Sequence, residues 1–445
     1  MPKIVTPSSN RPMSLTLCLL LVWPLLLALA VPAQTGADLS GVWEITINRF
    51  NEHSSNRLIL KADGEKLSGS GFGDLKVAGT VKGDRVEFQV LQDKNVVATC
   101  TGLITATGLT GKVKQGNDEF TWTAKRSPAR PADAPRFHEF KATEYHRYFS
   151  ADIPPALHIF PGDTVHTNTV DAGGFDKDGV RRSMGGNPLS GPFYIEGAAP
   201  GDTLVVHFIK IRLNRDTAVT GDSIVSSALD PDYFKHQEEV KDFDTTWKLD
   251  RNAGTGTLAK PTDKLKNFKV ELHPMLGCIG VAPSQNQSLR SGELGGFGGN
   301  MDYNQIQEGV TVYLPVAHNG ALLFVGDGHA QQGDGELTGD ALETSMEIEF
   351  TVDLIQGKSF GGVRAENDEY IMATGVAGSL QESLQDATTT LARWIQNDYG
   401  LNSSEVAMVL GTSIRYDIAE IVDPHVNVVA KIKKSVLAQL TKIAQ

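Results

Sequence analysis

Short runs in which apolar and polar residues alternate, cut at intervals of about ten residues by glycine and aspartate, confine much of this chain to antiparallel β structure. Trp43, Ile45 and Ile47 alternate with Glu44 and Thr46, and Val86, Phe88 and Val90 with Glu87 and Gln89. Phe120, Trp122 and Ala124 close the stretch. Asp63-Gly64, Lys82-Gly83-Asp84 and Gly116-Asn117 supply the turns between runs. Successive side chains of an extended chain point to opposite faces, so each run buries one face. Several such strands in a row predict a small antiparallel barrel or sandwich. His53 stands alone here, and no chemistry is assigned to this module.

Pro128, Pro131 and Pro135 then interrupt the pattern and mark an extended linker. Beyond it the strand signal resumes with fuller apolar runs. Leu204–Ile209 lacks alternation, as in a strand covered on both faces. Val310–Val316 and Ala321–Val325 are similar, and Met346–Leu354 alternates. Leu380, Leu384, Leu391, Trp394 and Ile395 change to helical spacing, with Gly400 as a stop. A second helix is predicted from Ser403 or Ser404 to about Gly411. Asn427–Lys431 reads as a last strand before a short terminal helix. The predicted division is a signal over 1–33, a β domain over 38–126, a linker over 127–136 and a β-rich domain with C-terminal helices over 137–445.

Lys3 and Arg11 precede an apolar stretch from Leu15 to Ala30, followed by Val31-Pro32-Ala33. This is the layout of a secretory signal cut after Ala33. The stretch is short for a membrane span and holds Pro24. The expectation is a secreted or periplasmic protein with no membrane association after cleavage. Lys and Arg total 41 against 53 Asp and Glu, a net charge of -12. Without a basic block, phosphate contacts have no source, and nucleic acid is excluded as a partner. Once Cys18 leaves with the signal, Cys100 and Cys278 remain. Two cysteines in different domains read as separate buried thiols rather than a disulfide framework.

Acids and histidine become dense in one place, Gly326-Asp327-Gly328-His329-Ala330-Gln331-Gln332-Gly333-Asp334-Gly335-Glu336, directly after the run ending at Val325. In an extended chain Asp327 and His329 point to the same side. Carboxylate oxygens and an imidazole converging from a stiffened loop suit a divalent cation. Spacing alone equally fits a Gly/Asp-rich surface turn, and no HExxH or cysteine zinc pattern is present. Upstream, Gly295–Asp302 is a glycine-rich loop around Phe297 with Asn300 and Asp302 at its polar tip. Asp171 ends a further plausible strand. Asp176-Lys177-Asp178-Gly179 lacks the glutamate an EF-hand needs. His207, within an apolar run, reads as a core histidine. No Gly-x-Ser-x-Gly elbow occurs, so water activated by a metal is the more economical nucleophile.

The segment Asn187-Pro188-Leu189-Ser190-Gly191-Pro192-Phe193-Tyr194-Ile195-Glu196-Gly197-Ala198-Ala199-Pro200-Gly201-Asp202-Thr203-Leu204 is similar to the hallmark segment of the acetamidase/formamidase family. Gly277–Pro283, Gly298–Asp302, Leu314–Val316 and Gly326–Glu336, with Glu343 after it, follow in the family's order. The resemblance covers about 137–445. It implies a β-rich, often oligomeric amidohydrolase that converts short amides such as formamide or acetamide to the acid and ammonia, with zinc or calcium. By the same resemblance Asp171, Asp302, Asp327 and His329 are the metal candidates. Glu196, Asp334, Glu336 and Glu343 match recurrent acids, and Glu336 is the first choice for general base. Gly298, Asn300, Gln332 and Phe297 are expected on the substrate side, Phe297 as a pocket wall. The leading β module and the signal are not part of the family's usual plan. Two rival readings remain: an exported binding protein with a structural calcium, and an amidohydrolase of a larger envelope amide.

Overall fold

The computed structural model describes residues 38–238 and 240–441, so the export signal expected over 1–33 lies outside the described residues. Eight strands, from Gly41–Arg49 to Asp118–Arg126, pair in chain order, and the last returns to the first. Closure leaves no free edge. The alternation read from the sequence decides which side chains enter. Trp43, Ile45, Ile47, Leu58, Phe88 and Trp122 fill the interior, with Phe88 and Trp122 edge to face at 5.7 Å. The barrel thus encloses a packed core. Cys100 lies in it, burial pushing its thiol up to about 12. Cys278 is buried in the other body, and both thiols are free.

The larger body is mainly two sheets. In the eleven-stranded sheet, strand Leu323–His329 is buried at every residue and lies between Met275–Gly280 and Glu343–Thr344. A nine-stranded sheet packs against it, and Phe193, Phe208, Phe324 and Phe350 fill the space between. Strand Thr203–Leu213 buries Leu204, Val206 and Phe208, but His207 and Ile209 face outward. His207 is therefore no core histidine; its Nδ1 meets Thr311 Oγ1 at 3.0 Å on the surface. The reason is that helices cover this sheet elsewhere. The helix Leu380–Tyr399 packs on strands Tyr370–Ala377 and Val426–Lys433 instead.

That helix starts at Ser379, whose side chain accepts from the Glu382 N–H, and ends at Gly400 with φ 66°. Only glycine takes this left-handed stop without strain. Its buried face is Ser383, Ala387, Leu391, Trp394 and Ile395, while Leu380 and Leu384 are exposed. The helix Ser403–Ser413 opens with a capping box of Asn402 and Glu405. Among the described residues no helix is long and apolar enough to cross a membrane.

Barrel and body are pinned by partly buried polar contacts. Arg57 of the barrel clasps Asp202 through two hydrogen bonds, at 3.1 and 2.6 Å, and donates to the Gly197 carbonyl at 2.6 Å. Tyr194 donates to Glu44 Oε2 at 2.5 Å.

Candidate metal and active site

The site is assembled where the buried central strand ends. Asp327 and His329 come from that strand, and the antiparallel register puts Glu343 beside His329 and Met275 opposite it. Asp302 follows the short strand Gly298–Asn300, which pairs with Cys278–Gly280. Glu336 returns from the loop beyond His329. His329 Nε2 lies 3.1 Å from Glu343 Oε1 and 3.5 Å from Asp327 Oδ2, and Nδ1 lies 3.9 Å from Asp302 Oδ1. Ligand atoms of Asp302, Asp327 and His329 lie within 4.8 Å of one another, as do those of His329, Glu336 and Glu343.

Two backbone features make room for this. A Cβ on Gly277 would stand 2.3 Å from Asp302 Oδ1 and 2.7 Å from Asp327 Oδ2, so the carboxylates occupy space that only glycine leaves open. Asp302, Asp327 and Glu336 have φ of 40°, 59° and 50°. Left-handed backbone at three non-glycine residues costs energy and gathers at functional sites, held there by the surrounding fold.

Electrostatically the cluster is unbalanced, with four buried carboxylates facing one imidazole. Burial, and then the Glu336 charge, hold Asp302 well above the usual carboxylate range. Burial raises Glu336 likewise, with the charges of Glu343 and Asp327 adding to it and His329 opposing. Glu343 is pushed up to about 7 by burial against the pull of His329. For His329 burial disfavours the cation, but Glu343 and Asp327 outweigh it and its pKa rises. Asp302 Oδ1, Asp327 Oδ1 and Glu343 Oε2 are buried with no hydrogen-bond donor. Buried anionic oxygens without donors are expensive unless a cation meets them. The donor set therefore fits a divalent cation.

Neutral groups hold the ligands in place. His329 Nδ1 is 2.9 Å from Gln332 Oε1, which assigns the proton to Nδ1 and leaves Nε2 to face the carboxylates. Gln332 in turn donates to the carbonyls of Asp302 at 2.5 Å and Ala419 at 3.1 Å. Asn300 donates to Asp302 and, at 2.7 Å, to Asp423 Oδ2. Asn187 donates to Asn300 Oδ1 at 3.0 Å and Asp327 Oδ2 at 3.1 Å. Cys278 Sγ lies 2.6 Å from Asn300 Oδ1. Burial and the Asp327 and Asp302 charges raise its thiol far above the ordinary value, so it stays protonated and is no thiolate nucleophile. A cavity of about 640 Å³ opens onto Asn300, Asp327, His329, Glu336 and Glu343, with Arg147 and Arg290 at its sides.

The structure brings together Asp302, Asp327, His329, Glu336, Glu343, Asn300 and Gln332. It does not bring the other expected residues there. Asp171 is engaged by Arg215 at 2.6 Å and the Phe175 N–H at 2.8 Å, outside both ligand groups. Glu196 pairs with His158 at 2.7 Å, next to the barrel contact of Tyr194. Asp334 sits on an exposed turn and accepts from Asn304 at 2.8 Å. Phe297 packs on Phe149 in the core, and Gly298 abuts the Ile279 carbonyl, so neither walls the cavity. Sequence reading passed over Gly277, Cys278, Asn187 and Asp423. The first three lie inside motifs already singled out, whereas Asp423 carries no local signal.

A model described as the Acetamidase/Formamidase family matches residues 133–292 and 295–437. A formamidase of Methylophilus methylotrophus is 24% identical over 268 residues, covering 48% of this chain and 64% of that protein. An acetamidase of Mycolicibacterium smegmatis is 26% identical over 277 residues, 49% and 67% of the two chains. The chain thus spans less than two thirds of the Methylophilus relative, and 59% of a further one from Schizosaccharomyces pombe. Among solved structures, an acetamidase from Yersinia enterocolitica superposes with a TM-score of 0.59 at 28% identity, covering 69% of this chain and 95% of that one. An acetamidase/formamidase from Thermoanaerobacter tengcongensis gives 0.59 at 25%, covering 68% and 98%. The barrel over 41–126 lies outside the family match.

Proposed function

Since the chain belongs to the acetamidase/formamidase family, we propose that it is a metal-dependent amidohydrolase that splits a linear amide into a carboxylic acid and ammonia. The observation that carries this reading is the buried group of four carboxylates on one imidazole, opening into a cavity. Asp302, Asp327 and His329 would hold the cation, with Glu343 and Glu336 beside His329. An imidazole nitrogen among the donors favours zinc, since calcium takes oxygen ligands. When bound, such an ion polarises the amide carbonyl and makes adjacent water more acidic.

The chain's own groups supply the proton chemistry. Glu336, buried in the same group as His329 and Glu343, takes a proton from the attacking water and hands it to the departing nitrogen as the C–N bond breaks. The hydroxyl oxygen stays on the carbonyl carbon, giving the acid. Gln332 keeps the imidazole in one tautomer, and Asn187 and Asn300 fix the Asp327 and Asp302 carboxylates. The cavity is far roomier than formamide needs, which favours an amide larger than acetamide. We place the reaction after export, on the signal pattern of residues 1–33.

The test is ammonia release from a panel of linear amides, formamide upward, with and without chelator. The expected result is chelator-sensitive release that falls about 10²–10⁴-fold in Glu336→Gln while metal content holds. No release from any amide, with metal bound, would leave the binding-protein reading in possession.

A further inference from the structure

The nine-stranded sheet carries a second cavity on its helix-covered side. Adjacent residues of strand Tyr370–Ala377 point to opposite faces: Met372 joins the central core, whereas Ile371 packs with the helices. Arg364 pairs with Ala373 and shares the helix side. Beneath the helices Leu380–Tyr399 and Lys434–Leu437 lies a space of about 550 Å³, walled by Tyr313, Phe360, Ile371, Trp394 and Leu437. None of its lining residues belongs to the site described above.

Arg364 lines this cavity and is 1% exposed. Its guanidinium carbon sits 4.2 Å from the centre of the Phe360 ring and 4.8 Å from that of Trp394. Those faces stabilise the cation but accept none of its five N–H groups. Nε is buried with no acceptor, and the Arg364 side chain makes no hydrogen bond or ion pair with any described residue, its backbone alone joining the strands of Tyr313 and Ala373. The two nearby carboxylates are otherwise engaged. Glu366 is held by Lys434 at 2.6 Å and by the Tyr313 hydroxyl, and Asp398 accepts from Trp394 Nε1 at 3.0 Å. Burial pulls the Arg364 pKa down to about 10 against the attraction of Asp398, as expected of a cation short of partners. A buried charge in this condition is costly, and the cost is removed by an acceptor that enters from outside.

We propose that this cavity is a ligand site for a small organic carboxylate bearing an apolar tail, its carboxylate on Arg364 and its tail among Phe360, Trp394 and Leu437. The planar fork of a guanidinium matches a carboxylate through two parallel hydrogen bonds. Lys434 and the Trp394 N–H hold the two lining carboxylates, Glu366 and Asp398, which leaves Arg364 as the unpaired charge among aromatic and apolar walls. A few placed polar groups on apolar walls, in a volume of this size, are the usual composition of a small-molecule site. Inorganic phosphate would leave the aromatic walls uncovered, and a neutral aromatic would leave Arg364 unpaired.

Phenylacetate is a suitable probe, titrated into the full chain by calorimetry and by Trp fluorescence. One-to-one binding is expected, with benzyl alcohol and inorganic phosphate at least about tenfold weaker. Arg364→Met should abolish binding. Ala438→Trp, an exposed rim position of the same cavity, should block it without touching Arg364 and decides the matter if the first variant fails to fold. Phenylacetate that does not bind the wild-type chain, or that binds Ala438→Trp as well as wild type, overturns the proposal; in the second case the acid occupies another site.

Discussion

Replacing Gly277 by alanine is the sharpest perturbation of the candidate site, because it adds one methyl group and removes nothing. The new Cβ would lie 2.3 Å from Asp302 Oδ1, 2.7 Å from Asp327 Oδ2 and 3.0 Å from His329 Cε1. Gly277 does not need a left-handed backbone, so alanine meets no conformational barrier and the effect is steric. A carbon–oxygen contact is comfortable at roughly 3.3 Å, so Asp302 must retreat by about 1 Å. Overpacking of this kind costs about 1–3 kcal/mol. A displacement of that size in a reacting geometry is worth roughly 10²-fold in rate. The variant should therefore fold with a modestly lower melting temperature, hold less metal than wild type and lose about two decades of kcat/KM on the best amide. Metal analysis, thermal melts and ammonia release read these in turn. Gly296→Ala is the control, since nothing lies within 4 Å of a Cβ there. Wild-type metal content and rate in Gly277→Ala would refute the assembly of the site from these three residues.

Three further outcomes are expected. Gln332→Leu removes the acceptor of His329 Nδ1 and should weaken metal affinity about 10–100-fold, read by competition with a chelator; unchanged affinity would deny Gln332 its positioning role. Glu420 is fully buried and pushed up to about 7 by desolvation, so the folded chain keeps a proton there that the unfolded chain loses above its ordinary value of 4.5. Stability from this group is present at low pH and is lost as pH rises through 7, a difference of about 3 kcal/mol that urea melts from pH 5 to 8 should show in wild type and not in Glu420→Gln. Arg57→Ala leaves Asp202 only the N–H groups of Ala199 and Gly357, and should cost about 2 kcal/mol and expose the barrel linker to protease; an unchanged melt would mean the clasp contributes nothing.

The barrel and the β-rich body were legible because period two is a local property. Trp43, Ile45 and Ile47 must share a face in any extended chain, and the packed barrel interior follows from it. The C-terminal end of the long helix was equally local, Gly400 supplying a left-handed stop, whereas the Ser379 cap at its start was seen only in the fold. Where burial depended on a remote element the reading failed. Leu380 and Leu384 have helical spacing but nothing lies over them, and the run containing His207 lacks a covering layer on one side.

The site divides along the same line. Asp327 and His329 sit two apart on one strand, so their company was written in the order of the residues. Asp171, Asp334 and Glu196 looked no less suitable, yet each found a nearer partner in Arg215, Asn304 or His158. An acid's role is set by whichever donor or charge the fold places within about 4 Å of it, an interaction energy that changes steeply with distance. Asp302, Glu343 and Asp423 reach the cluster through strand register and loop closure over long separations. The chain order determined which residues could ligate; only the pairing of distant strands, and the space left at Gly277, decided which of them converge.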